Sequence, residues 1–177
     1  TDKPLSFYAA TKKSNEIMAY SYSNIYNIPT TALRFFTVYG PYGRPDMALF
    51  KFTKSILSKK PIQLFNHGNH TRDFTYVDDI VSGISGIVEK PSKKSIPYNC
   101  FNIGGGTPNK LKFFLSLIEK HLQKRALIKN LPLQPGDVKK THSSVILLQK
   151  YSGYKPTTDI KKGVKEFVKW YKDYFKV

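Results

Sequence analysis

Residues 6–50 read SFYAATKKSNEIMAYSYSNIYNIPTTALRFFTVYGPYGRPDMALF, and four local signals follow one another along them. From Ser6 to about Tyr26 the pattern is helical, with Ala10, Ile17 and Met18 on a common face and Pro29 closing the run. Thr30 to Phe36 (TTALRFF) is β-branched and aromatic and reads as a short buried strand. The next residues, VYGPYGRPD, form a Gly/Pro-rich loop of the kind that holds functional groups on a rigid scaffold. Met47 to Leu57 is helical again. Helix, strand, loop and helix in this order point to an α/β chain.

The remainder continues the alternation. Pro61–Phe65 is a short strand, and Asn66-His67-Gly68-Asn69 is a turn. Phe74–Val77 leads through Asp78 and Asp79, read as N-caps, into a small-residue helix over 80–89. After a polar connection at 91–98, Cys100–Ile103 is a strand ending in three glycines. Pro108–His121 is an amphipathic helix, Ala126–Lys129 a strand and LPLQPGDV an extended loop. Helices at about 144–150 and 160–175 finish the chain. No repeat or low-complexity segment stands out. The strands are too few for a complete doubly wound sheet, which fits a half-domain.

At 177 residues, with 40% hydrophobic and 14% aromatic residues, the composition is that of one globular domain with a sizeable core. No run approaches a membrane span. The N-terminus has neither an initiating Met nor a signal-like apolar stretch, so the chain reads as a piece of something longer. A lone cysteine, Cys100, excludes an internal disulfide and suits a reducing cytoplasm. The formal net charge of +17 raises the question of a polyanion partner. Only four of the 29 basic residues are Arg, however, and the lysines are spread along the chain in no dense block. Diffuse lysine reads as a solvated surface, so nucleic acid is not the expected partner.

Tyr8 and Lys12 stand four residues apart, one turn along the same helix face. An ammonium so placed stabilises a phenolate and lowers its pKa from the ordinary value of about 10. A phenol so tuned can remove a proton from a hydroxyl group near neutral pH. The spacing alone is not selective: with 12 Tyr and 25 Lys, chance supplies about two such pairs, and two occur. The other, Tyr151 and Lys155, contains Gly153 and abuts Pro156, so it is a poor helix.

Context selects between them. The stretch quoted above resembles the catalytic helix, following strand and substrate loop of the extended short-chain dehydrogenases/reductases, and more narrowly the UDP-glucuronate 4-epimerases. The resemblance continues through HTRDFTYVDDI, FNIGGGTP, LPLQPGDV and GVKEFVKWYKDYF, in order and over essentially the whole chain. It implies the C-terminal half of a Rossmann-like NAD(P)-binding fold plus the smaller α/β substrate domain. Residues 1–40 then end the NAD-binding domain, and 41–177 are mainly substrate-binding, with 78–105 returning to the Rossmann sheet. The implied reaction is NAD-dependent epimerisation at C4 of a UDP-hexuronate, UDP-glucuronate to UDP-galacturonate, through a transient 4-keto sugar. Another nucleotide-sugar epimerase, dehydratase or decarboxylase of the superfamily is the alternative.

By the same resemblance Tyr8 is the base, and Lys12 binds the nicotinamide ribose while holding the phenolate. Thr37 contacts the hexuronate, and Arg44 lies in the substrate loop. Gln63 offers backbone hydrogen bonds to uracil, and Phe65 packs on it. Arg72 meets the diphosphate, while Gln134 and Asp137 lie near phosphate and ribose. A homodimer through the Tyr8/Lys12 helix is implied, with no membrane partner.

Taken singly, these residues have plainer readings: Phe65 as core, Thr37 as a strand residue, Asp137 as a turn acid. Arg44-Asp46 and Arg72-Asp73 read as surface ion pairs worth little. The three glycines are a turn, since neither a P-loop nor a G-x-G-x-x-G pattern surrounds them. THSSVILL departs from the family, which usually carries an Asp-containing stretch there. The glycine-rich loop and the Ser/Thr partner of Tyr8 belong, by the resemblance, upstream of Thr1, so the chain alone is expected to be inactive and at most a partial UDP-sugar binder. His67, His70, His121, His142 and Cys100 give no metal-ligand spacing, and no G-x-S-x-G elbow occurs.

Overall fold

The computed structural model describes residues 2–177. Helix α1, Phe7–Tyr26, begins where the Ser6 side chain accepts from the Ala9 N–H at 3.1 Å, and ends at Asn27, which takes a left-handed backbone. Pro29 then releases the chain into strand β1, Thr30–Phe35. Arg34 on β1 grips Glu16 on α1 through two hydrogen bonds of 2.6 Å, so helix and strand are pinned by a fork of charge-assisted bonds. The Arg34 bond is the main reason the Glu16 carboxyl titrates below its ordinary range.

β1 pairs in parallel with β6, Tyr98–Ile103, in register from Thr30↔Tyr98 to Phe35↔Ile103. Phe36 breaks the strand, and β2, Thr37–Tyr39, pairs instead with β5, Phe74–Tyr76. β3, Ile62–Leu64, pairs in parallel with β8, Ile128–Asn130, and β4, Thr71–Arg72, antiparallel with β7, Asn109–Lys110. The other helices are α2 (Ala48–Leu57), α3 (Val77–Val88), α4 (Leu111–Leu122), α5 (Ile146–Ser152) and α6 (Ile160–Phe175). The described residues thus form a mixed α/β chain of four two-stranded ladders, three of them parallel.

Two apolar cores result. The larger is built from α2, α4 and α6 around β2, β3 and β5, with Phe74 and Phe114 stacked at 4.0 Å between ring centroids. The smaller joins Ile80 and Ile87 of α3 and Phe101 and Ile103 of β6 to Leu148 and Tyr154.

Several local expectations need correction. β1 is only half-buried, because β6 is its single strand partner among the described residues. Asp78 and Asp79 are not N-caps: Tyr76 holds that position, and α3 has already begun at Val77. Asp79 is instead buried, and its carboxylate accepts the backbone N–H groups of Thr157 and Thr158 at 3.1 and 3.0 Å. α4 starts at Leu111, not Pro108, since Asn109 and Lys110 are taken up by pairing with β4.

Candidate active site

Tyr8 lies in the first turn of α1, 70% exposed, with the Lys12 ammonium 5.3 Å from its ring centroid. Helical spacing alone brings the two together, and the contact is a cation–π one worth about 0.5–1 kcal/mol at an exposed site. Among the described residues no carboxylate pairs with Lys12, so its charge is available to a ligand.

The loop after β2 approaches the same region. Gly40 has φ of +145°, and a Cβ there would stand 2.6 Å from a Val77 methyl, so the loop leaves β2 under close restraint. Four residues on, Arg44 donates to both oxygens of Asp46, with Nε 3.0 Å from Oδ1. That bond holds the Arg44 guanidinium more firmly protonated, and the nearby Tyr8 phenol adds a smaller push in the same direction. Asp46 is drawn below its ordinary range by the same partner. Thr37, half-buried, lines a small cavity of about 30 Å³ together with Gly40, Arg44 and Met47. Thr37 and Arg44 thus share one cavity, Tyr8 and Lys12 share one helix face, and the Arg44 guanidinium lies within electrostatic reach of the Tyr8 phenol.

A second group forms around Asp137. Arg72 Nη2 donates to its Oδ1 at 2.9 Å, and His70 Nε2 lies 3.0 Å from its Oδ2. The His70 contact is close but poorly aligned, leaving that nitrogen without a directed hydrogen bond. The turn bearing Asp137 abuts the start of α1: a Cβ on Gly136 would lie 3.7 Å from the Leu5 carbonyl oxygen. Gln134 is exposed on this turn, its carbonyl accepting from the Asp137 N–H at 3.2 Å.

Arg72 does not pair with its neighbour Asp73, which is fully buried. The Asp73 carboxylate accepts from Gly105 N at 2.9 Å, Gly106 N at 3.1 Å, and the Ser143 N and Oγ at 2.8 and 2.6 Å. The three-glycine turn thus receives an internal carboxylate, and THSS supplies the serine that completes its cradle. Sequence reasoning missed His70, Asp73 and Ser143 as organisers of the site, because all their partners are distant in the chain.

Gln63 and Phe65 mark a third edge. On β3, Ile62 N and Leu64 O make the hydrogen bonds to the β8 side. Parallel pairing uses alternate residues of a strand, so the Gln63 N–H and C=O point away from β8. Phe65 is half-buried where the strand turns into a single 3₁₀ turn, Phe65–Gly68.

Among the described residues there is no group of three or more His, Cys, Asp or Glu able to hold a metal, and no helix long and apolar enough to cross a membrane.

A Tyr-x3-Lys helix feeding a parallel strand pair, joined to a second α/β core that carries Arg44 and Arg72, is the arrangement of the extended short-chain dehydrogenases/reductases. The sequence model of the NAD dependent epimerase/dehydratase family matches residues 1–104, and the chain belongs to that family. Protein CapI of Staphylococcus aureus is 52% identical over 189 residues, covering 99% of this chain and 57% of that protein. UDP-glucuronate 4-epimerase 1 of Arabidopsis thaliana is 44% identical, covering 99% of this chain and 44% of its own length. The crystal structure of UDP-glucuronic acid 4-epimerase from Bacillus cereus, in complex with UDP-glucuronic acid and NAD, superposes with a TM-score of 0.90 at 36% identity. That match covers 97% of this chain and 54% of that one. The chain spans about half the length of the relatives it matches.

Proposed function

We propose that the complete protein interconverts UDP-glucuronate and UDP-galacturonate at C4. The observation that carries the substrate class is the Arg44 fork. On a loop electrostatically coupled to Tyr8, a guanidinium already engages a carboxylate through two donors, the geometry that a hexuronate carboxylate needs. Thr37 lines the cavity beside it. The relatives described as UDP-glucuronate 4-epimerases support the same reading.

Tyr8 and Lys12, which pairs with no carboxylate among the described residues, suit a nicotinamide ribose, and NAD, when bound, supplies the acceptor and donor of the C4 hydride. Tyr8 as phenolate takes the C4 hydroxyl proton, and Lys12 holds the charge of that phenolate. After the 4-keto sugar has turned, its opposite face is presented for return of the hydride to C4, and the same phenol returns the proton to O4. Arg72, beside Asp137 and His70, holds the diphosphate. Asp137 and Gln134 face the ribose, and the outward N–H and C=O of Gln63 read uracil while Phe65 packs on it. The anchoring lies on the UDP, so the sugar is left free to rotate.

Residues 1–40 and 78–105 belong in this reading to the cofactor-binding lobe, which the β1–β6 pairing supports, and the rest mainly to the substrate lobe. Ile17, Met18 and Ile25 expose an apolar face on α1, which supports a homodimer through that helix. The lone Cys100 suits a reducing cytoplasm.

The test is product analysis of the complete protein with UDP-glucuronate and with UDP-glucose. Conversion of the first to UDP-galacturonate is expected. Turnover of UDP-glucose with none of UDP-glucuronate would assign it to the neutral-sugar epimerases instead.

A further inference from the structure

Tyr42 sits two residues before Arg44 with φ of +59°, a left-handed backbone that a non-glycine residue adopts only against strain. Its side chain is 80% exposed, yet it is not loose. The ring lies on Trp170 of α6 at 5.1 Å between centroids, and edge-on to Tyr174 at 6.3 Å. Trp170 is in turn backed by Phe167 at 5.4 Å, a residue of the larger core that is 1% exposed. The aromatic shelf is therefore fixed to the interior. Together Pro41, Tyr42, Tyr76, Trp170 and Tyr174 wall a groove of about 440 Å³ between loop and helix.

The loop is held at both ends by other means. Gly40 is clamped under Val77 and Tyr76, and the Met47 N–H bonds the Arg44 carbonyl at 3.1 Å as α2 begins. Between those ends Gly43 N reaches back to Gly40 O at 3.2 Å, and the Arg44 side chain extends into solvent, bound only to Asp46 on its own loop. The aromatic seat of Tyr42 is thus what ties the middle of the loop to the body of the molecule.

We infer that Tyr42 is a positioning residue: its packing on Trp170 and Tyr174 fixes where the Arg44 guanidinium stands relative to Tyr8. Because Arg44 is the group that meets the substrate carboxylate, the seat sets the preference for a hexuronate over a neutral hexose. The second half of this statement rests on the proposed substrate class; the first half does not. An aromatic ring of either kind satisfies the seat, whereas a small side chain removes it and also removes the reason for the left-handed backbone.

The experiment compares Tyr42→Ala and Tyr42→Trp in the complete protein. Tyr42→Ala is expected to lower kcat/KM for UDP-glucuronate by about 10–100-fold, mostly through KM, since a displacement of the order of 1 Å at a binding group has that effect. Its affinity for UDP alone should stay unchanged by calorimetry, and activity towards UDP-glucose, if any, should not fall in parallel. Tyr42→Trp should keep the hexuronate preference to within about threefold, because an aromatic ring is kept against Trp170 and Tyr174. An unchanged kcat/KM in Tyr42→Ala, or equal losses in both variants, would overturn the inference. Amide hydrogen exchange over residues 41–46 needs no substrate. Faster exchange in Tyr42→Ala and native exchange in Tyr42→Trp support the seat even if UDP-glucuronate proves not to be the substrate. Unchanged exchange in Tyr42→Ala would refute it whatever the substrate is.

Discussion

Arg72 and Asp137 lie 65 residues apart in the chain and meet at 2.9 Å, Nη2 to Oδ1, joining the short β4 strand to the turn that abuts the start of the Tyr8 helix. His70 stands against the other carboxylate oxygen at 3.0 Å, 5% exposed. In the proposed reading a diphosphate takes the remaining donors of Arg72 while Asp137 keeps the guanidinium plane in place. Arg72→Ala should therefore weaken UDP binding by about 10–100-fold, the range expected for hydrogen bonds to charged groups. Arg72→Lys should recover little of it, since a point charge does not reproduce the fork. Calorimetry with UDP checks both.

Asp73 supports the site from beneath. It is fully buried, and its carboxylate accepts four hydrogen bonds from Gly105, Gly106 and Ser143. Asp73→Ala leaves those donors facing an apolar void and should cost about 3–5 kcal/mol of stability, since each buried donor left without an acceptor costs about 1–3 kcal/mol. Chemical denaturation measures it. Ser143→Ala removes one of the four bonds and keeps the backbone ones, so its loss should be about 1–2 kcal/mol.

What the sequence revealed and what it hid divide along the distance between partners. The limits of α1 and β1 were legible because Ser6, Asn27 and Pro29 act on their immediate neighbours. The start of α4 was misplaced because Asn109 and Lys110 are drawn into pairing with Thr71 and Arg72, which periodicity within 108–121 does not show. Asp79 looked like a cap by local rules, yet its partners are Thr157 and Thr158. Asp73 looked like a surface mate of Arg72 and is a buried anchor instead. The pair Tyr8 and Lys12 was no better than chance by spacing, and the blocks that follow it carried the reading.

Gly163 shows how little room the larger core leaves. A Cβ on this α6 residue would stand 2.8 Å from Tyr39 Cζ and from Tyr76 Cδ2, and both rings are buried and walled in. Gly163→Ala gains about 1 kcal/mol of helix propensity. Overpacking of about 1–3 kcal/mol should outweigh that gain, for a net loss of up to about 2 kcal/mol by thermal or chemical denaturation. A stabilised variant would mean that α6 is free to shift away from β2 and β5.

The Glu16–Arg34 fork makes part of the stability depend on pH. Arg34 lowers the Glu16 carboxyl below its ordinary value of 4.5, so the folded state binds that proton less readily than the unfolded one. The contribution is complete above pH 4.5 and is lost as the pH falls through the lowered folded value. Arg34 is 35% exposed, so solvent screening limits the contribution to about 1 kcal/mol. Glu16→Gln should be less stable than the native chain at pH 7, with the difference shrinking in denaturant titrations as the pH falls below 4.5 and through the lowered folded value.

We propose Tyr8 as the base of a C4 epimerase acting on a UDP-hexuronate. The most direct measurement follows UDP-glucuronate and UDP-galacturonate by proton NMR in the complete, NAD-loaded protein and in its Tyr8→Phe variant, with UDP affinity measured alongside. The account predicts interconversion by the native enzyme and a kcat lowered by about 10²–10⁴-fold in Tyr8→Phe, with UDP bound as tightly as before. Native-rate epimerisation in Tyr8→Phe, or no UDP-galacturonate from the native protein, would contradict it.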